Sequence, residues 1–240
     1  MIPQKALNAA VDAYYKAKLE HVMREIDGLP YDGSELPEVI RRLKCEGDTA
    51  RAIVLTSLIE DKIETLISIN LYHVSSKSTK ERIFSGNGPL STFSNRILIC
   101  YHLGWITDSS YSRITSIRKI RNEFAHNAFK VDFKSPSIQK LFPPIIEAMN
   151  TFESSVLPII MSVEENKHLK HPSELNESDQ FLCAATLCVG YLLQELLMYP
   201  ASIRAQVNPS DFEEKLGKRP ENVTSAIRNM LLAAASVLED

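Results

Sequence analysis

An apolar stripe with helical spacing, running from about residue 48 to residue 67, constrains the fold more than any other feature of this chain. Its members lie one, three or four positions apart, and they are Leu55, Leu58, Ile59, Ile63, Leu66 and Ile67. Residues at this spacing share one face of a helix, because an α-helix completes a turn every 3.6 residues. Gly47-Asp48-Thr49 offers a cap at the start. The segment is therefore predicted to be a long amphipathic helix that buries its apolar face.

The same periodicity recurs along the rest of the chain, between a few glycine and proline breakers. Further helices are predicted over residues 4–26, 36–45, 109–126, 144–164, 178–198, 209–216 and 221–238. A turn before Pro89 is expected to place this proline at the first position of another helix, which ends near Gly104. Asp108 is expected to cap the 109–126 helix, and Pro158 is expected to kink or end the 144–164 helix.

These elements predict an all-α fold, a helical bundle with additional N- and C-terminal helices. Phe129, Val131 and Phe133 alternate with charged residues and favour a brief extended piece, but one short strand does not make a sheet. Three parts are predicted along the chain. They are an N-terminal helical extension over residues 1–46, the helical bundle over 47–166, and C-terminal helices packing on the bundle over 167–240.

Charge and composition argue against several classes of protein. The formal charge of −3 and the isoelectric point near 6.1 give no global attraction to nucleic acid or to an anionic membrane. The longest apolar stretch, from Phe181 to Leu193, is shorter than the roughly 20 residues of a membrane-spanning helix, so we expect a buried core helix and no membrane segment. The start of the chain has no apolar signal segment. The four cysteines lack the paired spacing of a zinc module, which favours reduced thiols in the cytoplasm.

The segment with recognisable chemistry is Arg121 to His126. Laid out on a helix, an apolar arc is formed by Ile114, Ile117, Ile120, Phe124 and Ala125. Arg121 falls inside this arc, where its charge and its five donors need an anion, a carboxylate or an interface. Arg118, Asn122 and His126 follow at four-residue steps on a second, more polar face. A small phosphate-facing patch is predicted from the basic residues of this helix, which are Arg113, Arg118, Lys119 and Arg121.

Arg121, followed directly by Asn122 and then by His126, resembles the Arg-x4-His motif of the HEPN (higher eukaryotes and prokaryotes nucleotide-binding) ribonucleases. The resemblance implies an all-helical domain, usually a dimer, that cuts RNA without a metal or another cofactor. In such a site His126 transfers protons, Arg121 neutralises charge on the phosphate and Asn122 orients the substrate or His126. Arg121 and His126 point about 140° apart on a straight helix. Both face one phosphate only if the helix ends nearby or if a homodimer pools two motifs.

Two further residues are assigned supporting roles. Glu60 is predicted to pair with Arg121 and to hold its guanidinium, and Arg118 shares the polar face of the same helix. A structural interpretation stands beside the catalytic one with equal weight: Arg121 pairs with a buried carboxylate, and His126 caps the helix end near Asn127. For Glu60 the alternative is a solvated position on an amphipathic helix.

A wider stretch, over roughly residues 48–165, resembles the mannitol operon repressor family. The matching motifs are Gly86-Asn87-Gly88-Pro89-Leu90, Tyr101-His102-Leu103-Gly104 and Arg121 to His126. This resemblance implies a regulator of sugar-operon expression that acts through a regulatory protein partner or DNA. No convincing helix-turn-helix with a base-reading second helix is visible.

The leading hypothesis is therefore an RNA-binding, metal-independent endoribonuclease. The alternative is a non-enzymatic transcriptional regulator, and a nucleotide sensor or scaffold is a third hypothesis. Outside this segment the structural interpretations prevail. The Gly86 to Pro89 turn lacks the Lys-Ser/Thr ending of a P-loop and is interpreted as a connection. Cys183 and Cys188 are interpreted as small core residues. No metal site or cofactor is predicted, since no spacing brings three or four ligands together.

Overall fold

The computed structural model describes residues 34–71, 77–127, 130–162, 169–198 and 221–238. Its α-helices are α1 (Leu36–Leu43), α2 (Asp48–Asn70), α3 (Lys77–Phe84), α4 (Phe93–His102), α5 (Asp108–Asn127), α6 (Pro136–Gln139), α7 (Pro143–Thr151), α8 (Leu157–Met161), α9 (Glu177–Met198) and α10 (Glu221–Leu238). These ranges contain no strand, so the all-α prediction is confirmed. The helices predicted over 4–26 and 209–216 lie outside the described residues.

Four helices form a closed ring around the core. Helix α2 contacts α5 and α9, and α7 contacts the same two helices from the other side. Helix α4 packs on α2 and α5, while α10 packs on α9 and α1. The stripe of α2 is buried as predicted, except that Leu58 is only partly buried. The tertiary structure thus places α9, from the C-terminal part of the chain, among the four ring helices. The boundaries between the three predicted parts of the chain, at 46/47 and 166/167, stay a prediction.

Helix α9 confirms the prediction of a core helix. Every residue from 181 to 190 is buried. Gly190 allows α10 to approach closely, because a Cβ atom at this position would collide with the side chain of Met230. No helix among the described residues is long and apolar enough to cross a membrane.

Helix α4 begins later than the sequence suggests. Its N-cap is Thr92, whose Oγ1 accepts a hydrogen bond of 3.2 Å from the backbone N–H of Asn95. The prediction that Pro89 takes the first helical position is therefore wrong. The chain around Gly88 folds back against the end of α3, where the backbone N–H of Leu90 donates to the carbonyl of Ile83 at 3.0 Å. This turn delays the helix by four residues and confirms the Gly86 to Pro89 segment as a connection.

Helix α4 ends near Gly104, as predicted. Gly104 has a φ of +68°, in the left-handed region that only glycine adopts at little cost. Its N–H donates to the carbonyl of Tyr101 at 2.9 Å, and the N–H of Trp105 donates to the carbonyl of Cys100 at 2.8 Å. This pair of bonds is a Schellman motif, which satisfies the last carbonyls of the helix and turns the chain toward α5.

Two predictions concern the segment after α5. The break at Pro158 is confirmed: α7 passes into a π-helical turn, Phe152–Val156, before α8 begins. Proline lacks an N–H and its ring clashes with the carbonyl four residues earlier, so the regular hydrogen-bond ladder widens ahead of it. The extended piece is not found in its described part. Phe133 instead lies in a turn with its ring buried in the core.

Candidate functional site

The Arg121 to His126 segment occupies the last two turns of α5. Ile114, Ile117, Ile120 and Phe124 are buried as predicted, whereas Arg121 and Ala125 are exposed. The prediction that Arg121 lies in a buried arc is therefore wrong. The reason is the length of α4, which covers this side of α5. Helix α4 starts at Phe93, which lines the same pocket as Arg121, so the cover ends there and Arg121 and Ala125 face solvent.

Arg118, Arg121 and Asn122 line a pocket of about 170 Å³. The opposite walls come from α2 and from the start of α4, and they are formed by Glu60, Thr92, Phe93 and Ser94. Inside α5, Arg121 Nη1 donates a hydrogen bond of 3.2 Å to Asn122 Oδ1. The tertiary structure thus brings together four of the five predicted site residues.

His126 is the predicted site residue that does not line this pocket. It is exposed in the last turn of α5. Five helical steps separate it from Arg121, which turns the two side chains about 140° apart. Within one chain, the proposed acid-base group and the proposed phosphate ligand therefore point to different sides of the helix.

Glu60 makes its ion pair with a different arginine from the predicted one. Arg96 Nη1 lies 3.2 Å from Glu60 Oε1 and 3.0 Å from Glu64 Oε2. The prediction that Glu60 holds the guanidinium of Arg121 is therefore wrong. Both α4 and α5 pack on α2, and the guanidinium of Arg96 on α4 is the one that lies within ion-pair distance of Glu60 and Glu64.

Arg96 is the residue that the sequence analysis missed. Its side chain is only 9% exposed, and its other two nitrogens donate to backbone carbonyls. Nε donates to the carbonyl of Leu90 at 2.8 Å and Nη2 to that of Phe84 at 3.1 Å. The guanidinium also lies over the ring of Phe84, 5.3 Å from its centroid. Its position beside buried Ile97 on α4 was the available signal, because an arginine on a buried helical face needs partners.

Comparison with known proteins identifies the family. A family model described as the mannitol repressor matches residues 38–196. The chain belongs to the mannitol repressor family. The match is wider than the resemblance over residues 48–165, and it includes the pocket and the four ring helices except the last two residues of α9. No curated protein and no solved structure matched the chain.

A second buried arginine ties the two ends of the mannitol repressor region together. Arg51, which is 7% exposed, donates to the carbonyls of Leu43 at 2.9 Å and Lys44 at 2.5 Å, and it contacts Asp179 Oδ1 at 2.6 Å. It therefore caps the end of α1 and binds the first turn of α9. Like Arg96, it has a structural role in this family member. The arginines that remain at the pocket are Arg118 and Arg121.

The cysteines of this mannitol repressor family member divide by burial. Cys100, Cys183 and Cys188 are buried, which confirms the core interpretation of the last two, and Cys45 is exposed. Burial raises the pKa of Cys183 to about 12, and the charge of Glu153 acts in the same direction. The described residues contain no group of three or more His, Cys, Asp or Glu side chains placed to hold a metal ion.

This difference in burial gives a prediction for thiol chemistry. At pH 8 in native buffer, iodoacetamide is expected to label Cys45 and to leave the three buried thiols unmodified, because the reactive species is an accessible thiolate. Peptide mass spectrometry reads the sites, and labelling in denaturant, where all four react, is the control. Labelling of Cys183 as fast as Cys45 in the native protein would contradict the packing of α9.

Proposed function

We propose that this chain is a regulator of gene expression of the mannitol repressor type, which acts without catalysis. The observation that carries the proposal is the family match over residues 38–196, since it covers nearly all of the four ring helices and not only a short motif. The separation of Arg121 from His126 within the chain agrees with a role that does not depend on their joint chemistry.

A local basic surface suggests which class of molecule the regulator binds. Residues 108–140 contain seven Lys and Arg against three Asp and Glu, although the whole chain has a formal charge of −3. Exposed members of this surface are Lys119, Arg121, Lys130, Lys134 and Lys140. A patch of this sign attracts an acidic protein surface or a nucleic acid backbone.

The arrangement of α4 and α5 favours a protein partner over the reading of DNA bases. A helix-turn-helix places the N-terminal residues of its second helix against base edges. The corresponding end of α5 begins with Asp108, and Ser110 is buried, while the basic residues lie toward the other end. A carboxylate such as Asp108 at this end repels the phosphates of DNA. We therefore infer that a regulatory protein partner, rather than operator DNA, binds the basic surface.

An endoribonuclease is the second candidate. The observation that favours it is the accessibility of the motif: Arg121 and His126 are exposed and Asn122 is partly exposed. RNA is therefore able to reach all three side chains. A composite site would need a second copy of the chain, because a homodimer is the arrangement that supplies the histidine of one motif and the arginine of another to one phosphate.

Transcript profiling and an RNA cleavage assay together test the two candidates. A regulator predicts that deletion of the gene raises the transcripts of a sugar-uptake operon several-fold, and that both the wild-type gene and the His126→Ala variant restore repression. Purified protein is expected to leave pooled cellular RNA intact in excess chelator. Unchanged transcripts on deletion would overturn the proposal. Cleavage by wild type but not by a folded His126→Ala variant, leaving cyclic phosphate ends, would establish the ribonuclease instead.

A further inference from the structure

The pocket beside Arg121 joins three helices that are separate in sequence. Glu60 comes from the middle of α2, Thr92 and Ser94 flank the start of α4, and Arg118 and Arg121 come from α5. Its volume is about 170 Å³. This volume is below the roughly 300 to 1,000 Å³ of pockets for drug-sized ligands, so the pocket suits a small group.

The electrostatics of the pocket favour an anion. Arg118 and Arg121 place two positive charges in the lining, and the single acidic lining residue is Glu60. Arg96 Nη1 lies 3.2 Å from Glu60 Oε1 and 3.0 Å from Glu64 Oε2, so the single charge of Arg96 is shared between these two carboxylates. Together with Arg118 and Arg121 it makes three positive charges against two negative ones, so the pocket and its surroundings keep a net positive charge. Guanidinium groups bind phosphate through paired, charge-assisted hydrogen bonds.

The hydrogen-bond donors at the pocket also favour an anion. Arg118 and Arg121 bring guanidinium donors to the lining of the pocket. The first turn of α4, a helix of ten residues, brings Phe93 and Ser94 to the lining. The first N–H groups of a helix have no partner within the helix and attract an anion. The arginines and the helix start thus supply donors to one small volume.

The acceptors in the lining limit which anion fits. Glu60 uses Oε1 for Arg96, and its second oxygen is an acceptor suited to a hydroxyl group. The hydroxyl groups of Thr92 and Ser94 add further positions for a polar ligand. A carboxylate repels a second phosphate, and the pocket is too small to enclose a run of nucleotides. The lining therefore matches one phosphate attached to a small hydroxylated group.

We propose that this pocket binds the phosphate monoester of a small polyol, with Arg118 and Arg121 holding the phosphate and Glu60 accepting a hydroxyl group. The same phosphate chemistry is present in RNA, so the test separates the two sources. This inference stands without the proposed regulatory function, because ligand binding is measured on the purified full-length chain, whereas regulation is measured on transcripts.

Calorimetric titration of the full-length protein tests the site, with glycerol 3-phosphate, inorganic phosphate, glycerol and a five-nucleotide single-stranded RNA as separate probes. Glycerol 3-phosphate is expected to bind more tightly than inorganic phosphate, and glycerol is expected to give no binding. Arg121→Gln and Arg118→Gln are each expected to weaken glycerol 3-phosphate about tenfold or more, since each removes a charged hydrogen-bond donor. Arg121 is exposed, so its variant is the one that leaves packing intact.

Lys119→Gln is the matched control. It removes the same charge from the neighbouring exposed position of α5, and Lys119 does not line the pocket. Affinity within about twofold of wild type for this variant supports a specific site, because exposed charges are screened. Equal weakening by Lys119→Gln and Arg121→Gln would reduce the effect to general electrostatics and overturn the proposal. Absence of binding by both phosphates, or binding of the RNA alone, would also overturn it.

Discussion

Replacement of Arg96 by alanine is expected to lower the free energy of unfolding by about 3 kcal/mol, in the range for breaking a buried ion pair. The substitution removes four interactions at once: the ion pairs with Glu60 and Glu64, and the hydrogen bonds to the carbonyls of Leu90 and Phe84. Those two carbonyls belong to the end of α3 and to the turn before α4. The variant therefore also releases the segment that positions the start of α4 at the pocket.

Urea denaturation followed by circular dichroism measures this change. Arg96→Lys is expected to recover only part of the stability, because an ammonium group does not replace the planar fork that serves Glu60, Leu90 and Phe84 together. Arg41→Ala is the control: Arg41 is an exposed arginine paired with Glu38, and its loss is expected to change the free energy by less than about 0.5 kcal/mol. An effect of Arg96→Ala as small as that of Arg41→Ala would disprove the structural role of Arg96.

Phe133→Ala is expected to cost about 3 to 5 kcal/mol, as for other large-to-small changes of fully buried aromatic residues. Phe133 is 1% exposed, and its ring centroid lies 4.9 Å from that of Phe124 and 4.6 Å from that of Phe181. The ring of Phe142 is 6.0 Å away, nearly edge-on. This aromatic cluster joins α5, the start of α7 and α9, so its loss loosens three elements around one cavity.

Thermal and urea unfolding measure the effect of Phe133→Ala, and two other variants calibrate it. Phe133→Leu keeps much of the volume and is expected to cost about 1 to 2 kcal/mol, because only shape and ring contacts are lost. Ile159→Ala, at a position that is 70% exposed, is expected to change stability by less than about 0.5 kcal/mol. Similar stabilities for Phe133→Ala and Ile159→Ala would mean that the cluster does not hold these helices together.

The candidate site was predicted in part. Four of the residues that the sequence selected, Glu60, Arg118, Arg121 and Asn122, lie together at one pocket, while their functional role stays a prediction. The sequence assigned the wrong partner to Glu60, because periodicity gives the face on which a residue lies but not which neighbouring helix is nearer. The same limitation hid Arg96. Its role depends on carbonyls and carboxylates from three other segments, whose approach is a property of the folded chain.

Local rules explain why the helices were predicted well and their boundaries less well. Apolar spacing, Gly104 at the end of α4 and Pro158 before α8 are properties of short segments, and the structure follows them. The start of α4 was missed by four residues because Thr92 and the fold-back of the Gly88 turn prevailed over the preference of Pro89 for a first helical turn. The extended piece was misjudged because the burial of Phe133 by rings from distant segments outweighed local alternation.

The sequence by itself determined the all-α class, the position of each described long helix and the faces that α2 and α9 bury, because these depend on the order of side chains within a few turns. Only the tertiary structure decided that α9 closes the ring with α2, α5 and α7. It also decided that Arg51 and Arg96 are buried and bind groups from several segments, while Arg121 faces solvent. The physical reason is that the burial of a charge is tolerated where partners from remote segments converge, and convergence is fixed by helix packing rather than by local sequence.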